Sequence, residues 1–229
     1  MPQLELRSIT KTYETDGDSL RAVADVSLDV EAGEFVSIVG HSGSGKTTLL
    51  SLIGGIVRPS SGRILFEGKD LAGLSSDRIA EYRAVKIGFM FQFASLLPVL
   101  TVKENLLLPV VFGPHAGWSK EKKAEELLAM VGLADKSSAY PSQLSGGQQR
   151  RVAIARAFMN EPALILADEP TGDLDEETEM DMMRFFQSMN KNAKTTFIMV
   201  THNTDLARLT QRRLRMHRGS LESENSSGR

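Results

Sequence analysis

Eight residues constrain this chain more than any others: Gly40-His41-Ser42-Gly43-Ser44-Gly45-Lys46-Thr47, a G-x-x-x-x-G-K-T run. The apolar, strand-like Phe35-Val36-Ser37-Ile38-Val39 precedes it, and Thr48-Leu49-Leu50-Ser51-Leu52-Ile53, of helical character, follows. Strand, glycine loop and helix in that order are the setting of a phosphate-binding loop. Glycines let the backbone bend around an anion without Cβ clashes. Successive N–H groups then face inward as an anion nest, and the helix starting near Lys46 aims its positive end at the same spot. Lys46 supplies a mobile charge for the β- and γ-phosphates, and the Thr47 hydroxyl suits Mg²⁺. A plain Gly/Ser turn before a helix would not carry the Lys-Thr pair at this spacing.

At 229 residues the chain fits one α/β domain with room for an inserted lobe. Its 27 basic and 29 acidic residues leave a net charge of −2, so electrostatics give no reason to expect nucleic acid as the main partner. Without a single cysteine, disulfides, thiolate chemistry and Cys-based metal sites are excluded. The N-terminal Met1-Pro2-Gln3-Leu4-Glu5 lacks a signal-peptide pattern. The longest apolar runs, such as Leu106 to Phe112, fall far short of a bilayer span. Work at a membrane would therefore require something else to hold the chain there.

Alternation in Leu4 to Ile9 and again in Val26 to Val30 predicts two strands, with a polar loop from Glu14 to Arg21 between them. Tyr13 reads either as a ring stacking on a base or as a half-buried tyrosine at a strand boundary. Arg63 to Gly68 predicts a further strand and turn, Ser75 to Ala84 a polar helix, and Ile87 to Phe91 a short strand ending at Gln92. Beyond Phe93 the pattern changes: Pro98, Pro109 and Pro114 break the early part. Ser119 then caps a helix through Val131, which carries an apolar stripe of Ala124, Leu127, Leu128 and Val131, and Gly132 stops it. Leu96, Leu97, Val99 and Leu100 read equally as a partner surface or as the small core of this lobe.

Leu144-Ser145-Gly146-Gly147-Gln148 opens a helix rich in Ala, Val and Ile, which makes a second helix-start anion site or, on the plainer reading, a capped helix. Ala163 to Ala167 is a buried-type strand ending in Asp168-Glu169-Pro170, where open α/β sheets place ligands. Asp168 would hold Mg²⁺ and Glu169 would polarise a water, unless both belong to a salt-bridged turn. Thr171 to Asp175 turns into a helix from about Glu176 to Asn190, whose Met180, Met182, Met183 and Met189 read as core filler. Thr195 to Val200 is the next buried strand and ends at Thr201-His202; His41, His115 and His217 read as surface histidines. Arg212 to Met216 is an edge strand with a solvated basic face, and Glu222 to Arg229 a frayed tail.

Together these stretches resemble the nucleotide-binding ATPases of ABC transporters, from about Leu4 to Gly219. Gly40 to Thr47 is similar to their Walker A loop, Gln92 to the Q-loop, and Leu144 to Gln148 to the LSGGQ signature. Leu164 to Asp168 looks like Walker B, Glu169 the catalytic glutamate, Gly172 to Asp175 the D-loop, His202 the switch histidine and Tyr13 the A-loop aromatic. Gly172-Asp173 departs from the commonest D-loop wording, in which small or uncharged residues stand. The wording from Phe91 to Pro98 and from Pro170 to Asp175 looks like the LolD/MacB group of lipoprotein-release and macrolide-export ATPases.

The resemblance implies a P-loop NTPase (RecA-like) α/β fold: a parallel-sheet core over about 1–92 and 157–219, an N-terminal antiparallel β subdomain, and an α-helical lobe inserted at about 93–156. A polar tail, 220–229, would follow. It implies nucleotide contacts from Tyr13, Gly40, His41, Ser42, Gly43, Ser44, Gly45, Lys46, Thr47, Thr48 and Gln92. Ser145, Gly146, Gly147 and Gln148 would reach across to the ATP held by a second copy, which accounts for the surplus anion site. Thr47, Gln92 and Asp168 would arrange Mg²⁺; Glu169, His202 and Lys46 would carry catalysis. The expected assembly is a homodimer of this chain on a transmembrane permease subunit, peripheral at the cytoplasmic face of the cell membrane. Rival readings are a soluble ABC ATPase acting on DNA or ribosomes, and a regulatory dimer switched by ATP. Only residues 93–143 separate Gln92 from Leu144, too few for the long coiled coils of DNA-repair types, and Glu169 and His202 argue against a non-hydrolysing switch.

Overall fold

A computed structural model describes residues 1–15, 17–111, 120–172 and 174–223. In chain order the elements are β1 (Leu4–Thr15), β2 (Asp18–Val30), β3 (Phe35–Val39), α1 (Lys46–Ile53), β4 (Ser61–Phe66), β5 (Lys69–Asp70), α2 (Ser76–Lys86) and β6 (Ile87–Met90). They continue with α3 (Val102–Val111), α4 (Glu121–Met130), α5 (Gly146–Ala157), β7 (Leu164–Asp168), α6 (Glu176–Ala193), β8 (Thr196–Thr201), α7 (Thr204–Ala207), β9 (Arg212–His217) and β10 (Ser220–Ser223). The chain divides into two compact units: Met1–Ile79 with the residues from Thr196 onward, and Ala80–Thr195. The lobe expected at 93–156 lies wholly within the second unit, which also takes in β6, β7 and α6.

The first unit holds an antiparallel sheet in the order β2-β1-β4-β5. On β2 the inward residues Val26, Leu28 and Val30 alternate with exposed ones, as a half-buried strand requires. The polar loop expected from Glu14 to Arg21 is instead a hairpin, with Tyr13 opposite Leu20, Glu14 opposite Ser19 and Thr15 opposite Asp18. Backbone pairing propagates along an existing ladder whatever the polarity of solvent-facing side chains, so a polar stretch can remain strand. Asp16 lies outside the described residues.

In the same unit β9, β3 and β8 run parallel, and β10 turns back antiparallel on β9. Every residue of β3 and β8 is buried, and most are apolar, as in strands covered on both faces. The rings of Phe35 and Phe197 meet at a centroid distance of 4.8 Å. Residues 220–223, assigned to the tail by sequence, form β10: Arg218 and Gly219 both take positive φ and fold the chain back on β9. The rest of the expected tail, 224–229, lies outside the described residues.

In the second unit β6 and β7 pair in parallel. Pro109 does not break the lobe's first helix but sits inside α3. That helix is anchored by buried Val102, Leu106 and Val110. Asn105, wholly buried, accepts from Leu97 N–H and donates to the carbonyls of Leu97, Leu100 and Thr101. The carbonyl of Pro109 in turn accepts from Asn160. The α4 stripe of Ala124, Leu127, Leu128 and Val131 is buried as expected, and Gly132 follows at a φ of 69°. Pro114, His115 and the expected cap Ser119 lie outside the described residues. Met182 and Met183 of α6 are core residues, beside Phe186.

Removing a stacked core ring costs its transfer energy plus that of the cavity left behind. Phe197→Ala is therefore expected to lower stability by about 3–5 kcal/mol. Urea unfolding should show an earlier midpoint at unchanged slope; an unmoved midpoint would contradict the packing described for β3 and β8.

Candidate active site

The first unit carries the phosphate loop. Helix α1 begins at Lys46 behind Gly45, and no side chain caps its first N–H groups. Those donors are left for a ligand at the helix's positive end. The loop is close-packed at Gly40 and Gly45. A Cβ on Gly40 would stand 2.4 Å from the Met216 carbonyl oxygen, and one on Gly45 2.1 Å from that of Ala22, at a φ of 106°. The Gly219 N–H donates to the Ser44 carbonyl at 2.9 Å, and the Gly219 carbonyl accepts from Ala24 N–H, so the β9–β10 turn ties the loop to β2.

Lys46 is buried, and its Nζ donates to the Gly40 and His41 carbonyls at 2.7 and 3.1 Å. Its ammonium is thus held over the loop, beside the backbone that a phosphate would share. The Ser44 Oγ is buried without a hydrogen-bond partner among the described residues. A buried hydroxyl left unpaired costs about 1–3 kcal/mol, so its presence inside a cradle of N–H groups fits an anionic ligand. His41, Ser42, Gly43 and Thr47 are exposed, and Thr48 is half-buried.

Two further residues of this unit reach the loop through its framework. Val39 pairs with Thr201 in the parallel β3–β8 ladder, so Gly40 and His202 are the next residues out of neighbouring strands. His202 is exposed there, and Asn203 after it caps α7 by accepting from the N–H groups of Asp205 and Leu206. Tyr13 sits on the β1–β2 hairpin, two positions along β2 from where Ala22 meets the loop. Its ring is 37% exposed, with the Lys11 ammonium 5.0 Å from the centroid. Enough of a face stays accessible for stacking.

The second unit repeats the strand-end arrangement. Met90 pairs with Ala167 in the parallel β6–β7 ladder, so Gln92 and Glu169 both leave their strands at the same edge. Asp168 is the last residue of β7 and is 5% exposed. Glu169 adopts a φ of 46°, left-handed backbone that a non-glycine residue holds at a cost of about 1–3 kcal/mol. Strain of that kind concentrates where a side chain must be aimed.

The signature run forms the start of α5. Ser145 Oγ accepts from Gln148 N–H at 3.2 Å, and Gln148 Oε1 accepts from Ser145 N–H at 2.9 Å, a reciprocal capping box. The plainer sequence reading, a capped helix start, is thus realised, yet Ser145 and Gly146 remain exposed and nothing approaches within 4 Å of the Gly146 Cβ position. The D-loop acid Asp175 caps α6, accepting from Thr178 N–H and Oγ1 at 2.9 and 2.8 Å. These bonds, the backbone one foremost, hold its carboxyl below the ordinary value. The cap therefore stabilises fully above the unfolded-state pKa and is lost as pH falls through the lowered one. Asp173 lies outside the described residues.

Sequence reasoning passed over Arg150 and Arg156, both on α5. Arg150 is only 3% exposed. Its Nε donates to the Pro170 carbonyl at 2.8 Å, its Nη1 to the Phe91 carbonyl at 2.9 Å and also to that of Gln92, and its Nη2 to the Glu169 carbonyl. Arg156 donates to the Ala94 and Ser95 carbonyls at 3.0 Å each, and burial pulls its pKa down. The signal in the sequence was arginines in a helix otherwise rich in buried Val, Ala and Ile; charges there need dedicated acceptors.

Residues 23–172 match the family described as ABC transporter. The lipoprotein-releasing system ATP-binding protein LolD of Idiomarina loihiensis is 40% identical over 221 residues, spanning 96% of this chain and 97% of its own. The macrolide export ATP-binding/permease protein MacB of Syntrophobacter fumaroxidans is 42% identical over 229 residues, which cover 99% of this chain but 32% of that longer protein. Among solved structures, the ATP-binding cassette MJ0796 of Methanocaldococcus jannaschii, a dimer in a post-hydrolysis state bound to ADP and Pi, aligns with a TM-score of 0.91 at 39% identity. That alignment covers 96% of this chain and 98% of the other.

The close packing at Gly45 yields a direct test. Gly45→Ala is expected to keep the far-ultraviolet circular dichroism of the parent while weakening binding of a fluorescent ATP analogue by at least about tenfold, since the loop must shift to admit the methyl group. Unchanged affinity would remove the loop from the binding site.

Proposed function

The chain belongs to the ABC transporter family as an ATP-binding, ATP-hydrolysing subunit, and from that premise we propose which residues do the work and what the work drives. The observation that carries the assignment of the phosphate site is the loop itself: a helix start behind Gly45 without a side-chain cap, a buried Ser44 hydroxyl without a partner among the described residues, and Gly40 and Gly45 with no space for a Cβ. Backbone N–H groups from Gly40 to Thr48 and the Lys46 ammonium hold the phosphates, and Tyr13 stacks on the base. Gln92 and Asp168, with the Thr47 hydroxyl, supply amide, carboxylate and hydroxyl oxygens. Such hard donors fit Mg²⁺ bound mainly through substrate phosphates and water. When bound, the ion would neutralise charge building up on the phosphates.

Glu169 orients and deprotonates the attacking water, and His202 contacts the γ-phosphate; catalysis is placement and charge stabilisation. The exposed start of α5, Ser145 to Gln148, completes the site of a second copy, so hydrolysis belongs to a homodimer sandwiching two ATP molecules. The dimeric state of the MJ0796 cassette supports this. The capping box would keep Gly146 and Gly147 N–H groups directed outward toward that phosphate.

The dimer drives a transmembrane permease subunit from the cytoplasmic face of the membrane. No helix among the described residues is long and apolar enough to cross a bilayer. Leu97 and Val99 are 46% and 78% exposed, and Leu96 and Leu100 half-buried, which favours the partner-surface reading of this loop over the lobe-core one. The names of two relatives, a lipoprotein-releasing system and a macrolide exporter, support export or lipoprotein release as the task.

Glu169→Gln is expected to lower ATP turnover by about 10²–10⁴-fold, the usual worth of a general base. It should also accumulate an ATP-bound dimer in size-exclusion chromatography. Turnover at the wild-type rate would show that another group activates the water.

A further inference from the structure

Arg150 joins three parts of the second unit that the ATPase reading uses for different purposes. It lies two residues beyond the Ser145–Gln148 capping box, on the same helix. Its guanidinium reaches the carbonyls of Phe91 and Gln92, where the chain leaves β6, and those of Glu169 and Pro170, where it leaves β7. A guanidinium is planar and its donors diverge at fixed angles, so it holds several acceptors in one mutual geometry. Lysine's ammonium would need to choose among them.

The residues gripped are informative. Glu169 has strained, left-handed backbone, and its carbonyl is among those held. Arg156 does the equivalent for Ser95, whose φ is 47°. Four carbonyls between Phe91 and Ser95 thus accept from two arginines of α5. Packing alone would not direct both arginines to the segment from Phe91 to Ser95 and one of them to the residue after Asp168.

Resting on the ATPase reading, we propose that Arg150 is a positioning residue for hydrolysis: it sets the backbone of Gln92 and Glu169 relative to the start of α5. A shift of α5 would thereby move the metal-side glutamine and the water-activating glutamate together. Arg150 is buried and acts through the residues whose carbonyls it holds.

The test compares the full wild-type chain with Arg150→Lys, Glu169→Gln and the double variant, at protein concentrations that support dimerisation. Arg150→Lys keeps the charge but not the fork. Its kcat should fall by about 10–100-fold, the scale of a misplacement near 1 Å, while its Kd for a fluorescent ATP analogue stays within about threefold of the parent. In single-turnover measurements the double variant should hydrolyse no more slowly than Glu169→Gln alone, because the two losses share one cause. Wild-type kcat in Arg150→Lys, or losses that multiply in the double variant, would overturn the proposal while leaving the ATPase reading intact. Absence of turnover in the wild type would instead strike that reading. If thermal unfolding shows Arg150→Lys to be unfolded, Arg150→Gln is read in the same way; failure of both to fold assigns Arg150 to the fold alone and overturns the proposal.

Discussion

Parallel pairing governs how this molecule brings its chemistry together. Strands that run parallel all end at the same edge of their ladder, so residues that follow them become neighbours however far apart they lie in the chain. In the first unit, Val39 opposite Thr201 makes Gly40 and His202 neighbours across more than half the sequence. In the second, Met90 opposite Ala167 does the same for Gln92 and Glu169. Every residue of β3, β7 and β8 is buried, so a slip in register would disturb the packing of their apolar side chains on both faces.

Helix α5 has two jobs that reinforce each other. Its first turn is capped by its own Ser145 and Gln148 and stays exposed at Gly146, as suits an anion-directed helix start. Its next turn sends Arg150 into the interior, where a cation would be costly without acceptors. The acceptors are main-chain carbonyls of segments that cannot use them in strand pairing because they lie past the strand ends. Backbone left over by the sheet is thereby satisfied by the helix, and two strained residues, Glu169 and Ser95, are stabilised in the process.

Much of the fold was legible because its signals are local. Buried strands declared themselves as apolar runs, the lobe helix α4 as a stripe closed by Gly132, and the loops as glycine clusters with fixed spacing. The misses have one character. The Glu14 to Arg21 stretch looked like a loop because its side chains are polar, yet main-chain pairing made it a hairpin. Pro109 looked like a breaker, yet burial of Val102, Leu106 and Val110 carries α3 past it. Residues 220–223 looked like tail, yet β9 offered an edge to pair with. In each case a non-local partner outweighed the local preference.

By itself the sequence determined the chemistry on offer: a phosphate loop, acids after an apolar strand, a glycine-led helix start, and their resemblance to one ATPase family. Those features are runs of adjacent residues, whose meaning depends on spacing along the chain. The tertiary structure alone decided which of them become neighbours, that Ser44 keeps a buried hydroxyl unpaired, and that Arg150 gathers carbonyls from two strand ends. Such facts depend on strand register and on the reach of a side chain across elements, and a linear pattern carries no distance between segments until the chain has folded.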